Sequence, residues 1–192
     1  LAAVVGIGIC GVAAGIGVFR GILSSTPTIR LSDVVAVGEA TIVYDKEGNE
    51  IDQYVSTNSN RLSVGMDEIP DYMGKAFVAI EDQRFYQHNG IDVKGILRAG
   101  YQFLKTGGEE AQGASTITQQ LLKTSVFTDW TSEGDNKIKK IKRKIQEQYL
   151  ALEITKYYSK DEILLRYMNA INLGQNTLGV ESASLRYFGK HC

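Results

Sequence analysis

Glu81-Asp-Gln-Arg-Phe-Tyr-Gln-His-Asn-Gly-Ile-Asp92 closes an apolar helical run and opens a polar turn. Two later stretches complete the reading: Gly113-Ala-Ser-Thr-Ile-Thr-Gln-Gln-Leu-Leu-Lys123 and the basic helix over residues 137–147. Together they supply two carboxylates, Glu81 and Glu147, a polar helix start and a dense set of cations. Carboxylates move protons, and cations with free helix N–H groups hold phosphate oxygens. The combination suits chemistry on a sugar carried by a phosphate group.

Each element of this set has a plainer reading beside the chemical one. Glu81 follows Phe77-Val-Ala-Ile80, and a carboxylate at the mouth of an apolar helix can be desolvated and made more basic. It can equally pair with Arg84, three residues on. His88 and Asp92 lie in the following loop, where a histidine reads as a hydrogen-bonded turn residue. Ser115, Thr116, Gln119 and Gln120 open a helix, and Lys123 shares a face with Gln119 by its four-residue spacing. That start is either an anion site or an ordinary capped helix with exposed polar residues. Lys137, Lys139, Lys140, Lys142, Arg143 and Lys144 read as a solvated face unless something organises them. Spacing puts Lys140, Arg143, Lys144 and Glu147 on one helical side, which suits a pyrophosphate.

The bulk numbers narrow the setting. The chain has 192 residues, enough for one domain with a real core, and a net charge of −1 from 21 basic and 22 acidic side chains. That balance argues against nucleic acid as the partner of the basic run. Two cysteines, Cys10 and Cys192, stand at opposite ends, and no disulfide is expected. No CxxC, HExxH or Asp-x-Asp pattern marks a metal site. Residues 1–19 carry no charged or strongly polar side chain before Arg20, a length that crosses a bilayer as a helix. Gly6-x-Gly8-x-x-Gly11 inside this run mimics a dinucleotide fingerprint, but the residues after it stay apolar all round, unlike the amphipathic helix of a βαβ unit.

Residues 24–31 form a polar linker around Pro27. Residues 40–44 and 50–55 read as a hairpin around Asp45-Lys-Glu-Gly-Asn49. From Pro70 the chain reads helical, with Met73, Phe77 and Ile80 on one stripe. Helices are expected over 93–104, from Ser115 or Thr116 to 122, over 136–156, from a Ser159–Glu162 capping box to about 171, and over 179–187. For the long helix, the apolar stripe is Ile138, Ile141, Ile145, Tyr149 and Leu152. A polar loop with Trp130 covers 128–135.

These residues resemble the peptidoglycan glycosyltransferases of glycosyltransferase family 51, found in class A penicillin-binding proteins and monofunctional wall polymerases. The likeness runs from about Ala40 to Lys190. Glu81-Asp-x-Arg-Phe-Tyr-x-His-x-Gly-x-Asp92 is similar to the first family motif and Gly113-Ala-Ser-Thr-Ile-Thr-Gln-Gln120 to the second. Arg143-Lys-x-x-Glu147 is similar to the third, Lys160-Asp-Glu-Ile-Leu164 with Tyr167-x-Asn169 to the fourth, and Arg186-Tyr-Phe-Gly-Lys190 to the fifth. Where the family carries Glu after the Ile-Leu pair, this chain has Leu165.

The resemblance implies a mainly α fold: a lysozyme-like helical lobe, a small membrane-proximal lobe and a short β-hairpin, preceded by one transmembrane helix. The domains expected are an anchor over 1–23, a linker over 24–39, and a C-terminally truncated glycosyltransferase domain over 40–192. It implies Glu81 as catalytic base and Glu147 as the second acidic residue. Ser115, Thr116, Gln119, Gln120, Lys123, Arg143, Lys144 and Asn169 would bind substrate. Arg84, Phe85, His88, Asp92, Gly113, Tyr187 and Gly189 would hold the motifs together. The implied reaction polymerises lipid II into β-1,4-linked glycan for cell-wall biogenesis and cell shape, on the outer side of a bacterial cytoplasmic membrane. The implied partners are lipid II, a lipid-linked glycan strand, the bilayer, moenomycin-type inhibitors and a wall-synthesis complex. No cofactor is required, although Mg²⁺ or Mn²⁺ could bridge the pyrophosphate. A lytic glycosidase on the same lobe would need a strong acid for a poor leaving group and no cation-rich helix. A non-catalytic precursor-binding module is the other alternative. A transpeptidase site is not expected here, because no Ser-x-x-Lys occurs and Lys105-Thr-Gly107 and Ser56-x-Asn58 read as chance.

Overall fold

The computed structural model describes every residue except 1, 31–32, 35–37, 56–59, 108–112, 128–136 and 176, and describes 2–5, 7 and 9 by backbone alone. The expected Trp130 loop and Ser56-x-Asn58 therefore lie outside the described residues. The architecture is mainly helical, with one two-stranded antiparallel sheet. Along the chain come α1 (Ala2–Ser24), β1 (Thr41–Tyr44), β2 (Glu50–Tyr54), α2 (Asp71–Glu81), α3 (Val93–Lys105), α4 (Ile117–Ser125), α5 (Lys137–Ile154), α6 (Lys160–Ala170) and α7 (Val180–Phe188).

The fingerprint-like glycines lie inside α1, a single helix, so they open no βαβ unit. Among the described residues, no helix is long and apolar enough to cross a membrane. The expected span over residues 1–19 falls partly outside them.

The hairpin pairs Thr41 with Tyr54, Ile42 with Gln53 and Val43 with Asp52, then shifts register so that Tyr44 faces Glu50. Asp45 drives the turn. Its carboxylate accepts N–H bonds from Glu47 at 2.9 Å and Asn49 at 2.8 Å, and a side-chain bond from Asn49 at 2.9 Å. The Asn49 side chain holds this carboxyl below the usual range, because hydrogen bonds to the charged form favour it.

The core gathers where α4 packs against α5 and α6, and α6 against α7. Ile117, Leu121 and Leu122 from α4 meet Leu150, Ala151 and Ile154 from α5 and Ile163, Leu164, Tyr167 and Met168 from α6. Met73, Phe77 and Val78 of α2 lean on this cluster from outside, as does Leu165. Leu165, where the family has an acid, thus serves packing.

Two helices bury faces that their apolar rows do not predict, and only the row of α5 is among the sequence expectations. On α5 the buried row is Gln146, Leu150, Ala151 and Ile154. The expected stripe faces out, with Ile138 at 76% exposure and Ile141 at 60%. Both rows satisfy the helical period, and α4 together with the end of α1 selects the second. The Gln146 side-chain amide donates to the Ile22 carbonyl at 3.3 Å, so a polar residue takes a core position because a helix end lies opposite. On α3 only Gly95 is buried, while Val93, Leu97, Tyr101 and Leu104 are exposed apolar side chains at helical spacing.

Candidate active site

Motif residues reach the site because three helix ends converge. α2 terminates at Glu81, with the Asp82 N–H closing on the Val78 carbonyl at 3.1 Å. Asp82 then turns inward. It is 6% exposed, accepts the Ile117 N–H at 3.1 Å, and lies 2.9 Å and 3.0 Å by its two oxygens from His88 Nε2. That arrangement pins the end of α2 to the start of α4. His88 sits edge-on to buried Phe85, and the Lys160 ammonium lies 4.4 Å above the centre of the Phe85 ring. Burial pushes the Lys160 amine down. His88 and Phe85 are therefore packing and hydrogen-bonding residues of the turn.

Arg84 bears on the plainer of the two readings of Glu81. Its guanidinium faces Asp92, with contacts of 3.2 Å and 2.5 Å to the two carboxylate oxygens, so the plain Glu81–Arg84 pair does not form. The Arg84 bond holds the Asp92 carboxyl below the usual range, and Asp92 also caps α3 by accepting the Gly95 N–H at 3.0 Å. Glu81 itself is exposed, so the desolvation expected of a helix-mouth carboxylate is not supplied here. Its contact is instead with Gln120, whose Nε2 donates to Glu81 Oε2 at 2.9 Å.

The start of α4 carries a full capping box. Thr116 Oγ1 accepts the Gln119 N–H at 3.2 Å, and Gln119 Oε1 accepts the Thr116 N–H at 2.9 Å. Thr116 Oγ1 also donates to the Gly90 carbonyl at 2.6 Å. Gly90 has φ of +90°, and a Cβ there would lie 2.2 Å from the Ala151 carbonyl oxygen, so only glycine fits. Thr116 and Gln119 are each 1% exposed. Both are assigned to substrate by the resemblance; here the hydroxyl of Thr116 and the side-chain oxygen of Gln119 are engaged in the cap, and Thr116 also lines the polar cavity. Gln119 and Lys123 do not share an exposed face, because the Gln119 side chain curls back to its cap while Lys123 is exposed.

Ser115, by contrast, faces the cations. Lys144 Nζ donates to Ser115 Oγ at 2.9 Å and to Glu147 Oε1 at 2.5 Å. The Glu147 side chain is 12% exposed and that of Lys144 43%. Arg143 beside them is partly buried, and Lys140 is exposed. The second motif thus touches the first through Gln120 and the third through Ser115.

A polar cavity of about 120 Å³ opens at this junction, lined by Glu81, Arg84, Asp92, Arg98, Ser115 and Thr116 among others. Arg98 was not singled out in the sequence, where α3 reads only as a helix. Its signal was available: Lys94 and Arg98, four apart, put two cations on one side of α3.

The remaining assigned residues lie outside these contacts. Asn169, read as substrate-binding, is 8% exposed and holds Val64, accepting its N–H at 3.0 Å and donating to its carbonyl at 2.9 Å. Tyr187 donates to the Leu173 carbonyl at 2.8 Å, and Gly189 ends α7 in the left-handed conformation. Gly113 is exposed at the approach to α4. Among the described residues, no group of three or more His, Cys, Asp or Glu side chains is placed to hold a metal ion.

Residues 47–192 match the transglycosylase family. Penicillin-binding protein 1A of Clostridium perfringens strain 13 is 43% identical over 173 residues, covering 88% of this chain and 24% of that protein. Penicillin-binding protein 1A of Clostridium botulinum strain Langeland is 40% identical over 185 residues, 95% of this chain and 21% of that protein. Penicillin-binding protein 1A/1B of Bacillus subtilis strain 168 is 38% identical over 184 residues, 94% of this chain and 18% of that protein. The chain therefore spans about a fifth of the length of the curated relatives it matches. With more than half its length matched, across the segment that builds the Glu81 junction, the chain belongs to the transglycosylase family.

Proposed function

We propose that this chain is the polymerising domain of a membrane-anchored peptidoglycan glycosyltransferase, joining lipid II units into β-1,4-linked glycan. The observation that carries this reading is the double contact of the second motif. Gln120 meets Glu81 on one side, and Ser115 meets Lys144 and Glu147 on the other. A proton acceptor and a cation group thereby flank one polar groove.

In this reading Glu81 takes the proton of a GlcNAc 4-hydroxyl as its oxygen attacks the anomeric carbon of the donor MurNAc. The bond from that carbon to the pyrophosphate oxygen breaks, and the electron pair leaves with undecaprenyl pyrophosphate. Lys123, Arg143 and Lys144 balance the departing charge, so no strong acid is needed. Attack opposite the leaving group inverts the α-linked donor to a β bond. Glu147 holds Lys144 in place. A divalent ion such as Mg²⁺ or Mn²⁺, held chiefly by the substrate's phosphate oxygens, would add positive charge against the leaving group beside Lys123, Arg143 and Lys144.

A phosphoglycolipid of the moenomycin type, which imitates the donor strand, would occupy the same cationic side. The uncharged run over residues 1–19 supports a single-pass anchor, and the exposed apolar row of α3 supports a small lobe resting in the bilayer beside a larger lysozyme-like lobe. In this reading the domain lies outside the cytoplasmic membrane, where lipid-linked sugars are presented after flipping, and works within a wall-synthesis assembly.

The experiment is Glu81→Gln in the full-length protein. The amide keeps the shape and removes the base. Glycan synthesis should fall by at least about 10²-fold, the loss typical of a general base. Near-normal synthesis by this variant would sink the assignment.

A further inference from the structure

We propose that Tyr167 is a positioning residue that acts through Gln120 to set how Glu81 is held. The inference rests on the reading of Glu81 as base and extends it to a residue that touches neither the reacting sugar nor the carboxylate.

Three contacts carry it. Tyr167 is 1% exposed and its hydroxyl donates to Gln120 Oε1 at 3.1 Å. Gln120 Nε2 donates to Glu81 Oε2 at 2.9 Å. The Tyr167 ring meets Phe77 edge-to-face, centroids 5.7 Å apart at 85°. Phe77 lies one turn before Glu81 on α2, so the helix that carries Glu81 also clamps the phenol that orients its partner. Burial holds the Tyr167 phenol well above its ordinary range, so it keeps its proton and remains a donor.

A primary amide has a donor end and an acceptor end of nearly equal shape, and its hydrogen-bond partners decide which faces where. With Oε1 accepting from a buried hydroxyl, Nε2 must face Glu81 and donate to it. The flipped amide would set Oε1 against a carboxylate oxygen, acceptor to acceptor, and would leave the buried hydroxyl proton without its acceptor. Tyr167 thus selects the amide orientation that attracts the carboxylate. Glu81 is exposed, so this bond removes side-chain freedom that its surroundings do not. With Oε2 engaged, Oε1 is the oxygen left to meet the acceptor hydroxyl.

A double-mutant cycle on the full-length protein tests this. Tyr167→Phe, Gln120→Leu and the double variant are assayed for glycan synthesis from lipid II, with thermal unfolding recorded for each. Tyr167→Phe should lower kcat about tenfold with KM within about twofold, a positioning loss rather than a binding loss. In the Gln120→Leu background the same change should alter kcat by less than about twofold, because the hydroxyl then has nothing to orient. Equal losses in both backgrounds would make Tyr167 a packing residue and overturn the proposal, as would unchanged kcat in Tyr167→Phe. Should Tyr167→Phe not fold, Gln120→Glu against Gln120→Leu decides instead. A second carboxylate still accepts from Tyr167 but repels Glu81, so Gln120→Glu should be the slower, and equal or faster synthesis overturns the proposal. Glu81→Gln separates the two levels. If it stays active, the base reading itself fails. If it is inactive and the cycle is additive, only the relay fails.

Discussion

α4 and α6 begin with the same local device. Each has a hydroxyl at the cap, accepting the N–H of the third helical residue, whose side chain reaches back to the cap N–H. At α6 the pair is Ser159 and Glu162, and both are exposed. At α4 the pair is Thr116 and Gln119, each 1% exposed, and Thr116 also grips Gly90. The difference is the third residue. An exposed box carries a carboxylate, which gains from the partial positive charge of the helix start. A buried box carries the neutral amide, because a desolvated carboxylate without a cation is expensive. The same motif is a helix start in one place and a clamp between two functional stretches in the other.

The comparison breaks most sharply at Gln119. Gln119→Glu places a charge in the buried box and should destabilise the protein by about 3 kcal/mol at neutral pH, read by urea unfolding. Burial would raise the new carboxyl's affinity for its proton, so the deficit should shrink on acidification as the group becomes neutral. A variant as stable as the parent at neutral pH would show that the α4 box is not buried in the sense argued here.

Thr116→Ala comes next. It removes the cap, worth about 1 kcal/mol, and leaves the buried Gly90 carbonyl without its donor, adding about 1–2 kcal/mol. Ser159→Ala at the exposed box should cost only about 0.5–1 kcal/mol, since water replaces what the hydroxyl supplied. Equal losses at Thr116 and Ser159, by the same unfolding measurement, would mean that the Gly90 contact adds nothing.

The smallest effect distinguishes the boxes by pH. The Ser159 hydroxyl bond, with help from the Ser159 N–H, lowers the Glu162 carboxyl below its ordinary value. A depressed carboxyl contributes stability that is complete above its unfolded value and disappears as pH falls through the folded one. Glu162→Gln should flatten the acid side of the stability profile by lowering stability slightly at neutral pH and leaving it unchanged at low pH, where Glu162 is already protonated. Asp92 has the same sign through Arg84, so Asp92→Asn should flatten the same region. An unaltered acid limb in both variants would contradict the assigned partners.

Periodicity, caps and motif order were legible in the chain by itself. The hairpin around Asp45, the Ser159 box and the existence and order of α2 to α7 follow from local interactions that need no distant partner, whereas α4 runs three residues past its expected end at 122 and α5 stops two before 156. The resemblance named the functional stretches, and the contacts among Glu81, Gln120, Ser115, Lys144 and Glu147 bring them together. Which side chain of each stretch faces the groove was decided only in three dimensions. Thr116 and Asn169 are polar residues in motif positions, and sequence does not reveal that their side chains meet backbone groups 26 and 105 residues away. The face of α5 was decided in the same way, because two rows fit one helical period and only its neighbours select between them. The Tyr167–Gln120–Glu81 line joins α6, α4 and α2, far apart in sequence and adjacent only after packing. Local propensity acts over a few residues, whereas burial is a property of the assembled core. For that reason the chain determined its helices and its family, and the tertiary structure determined which atoms the site presents.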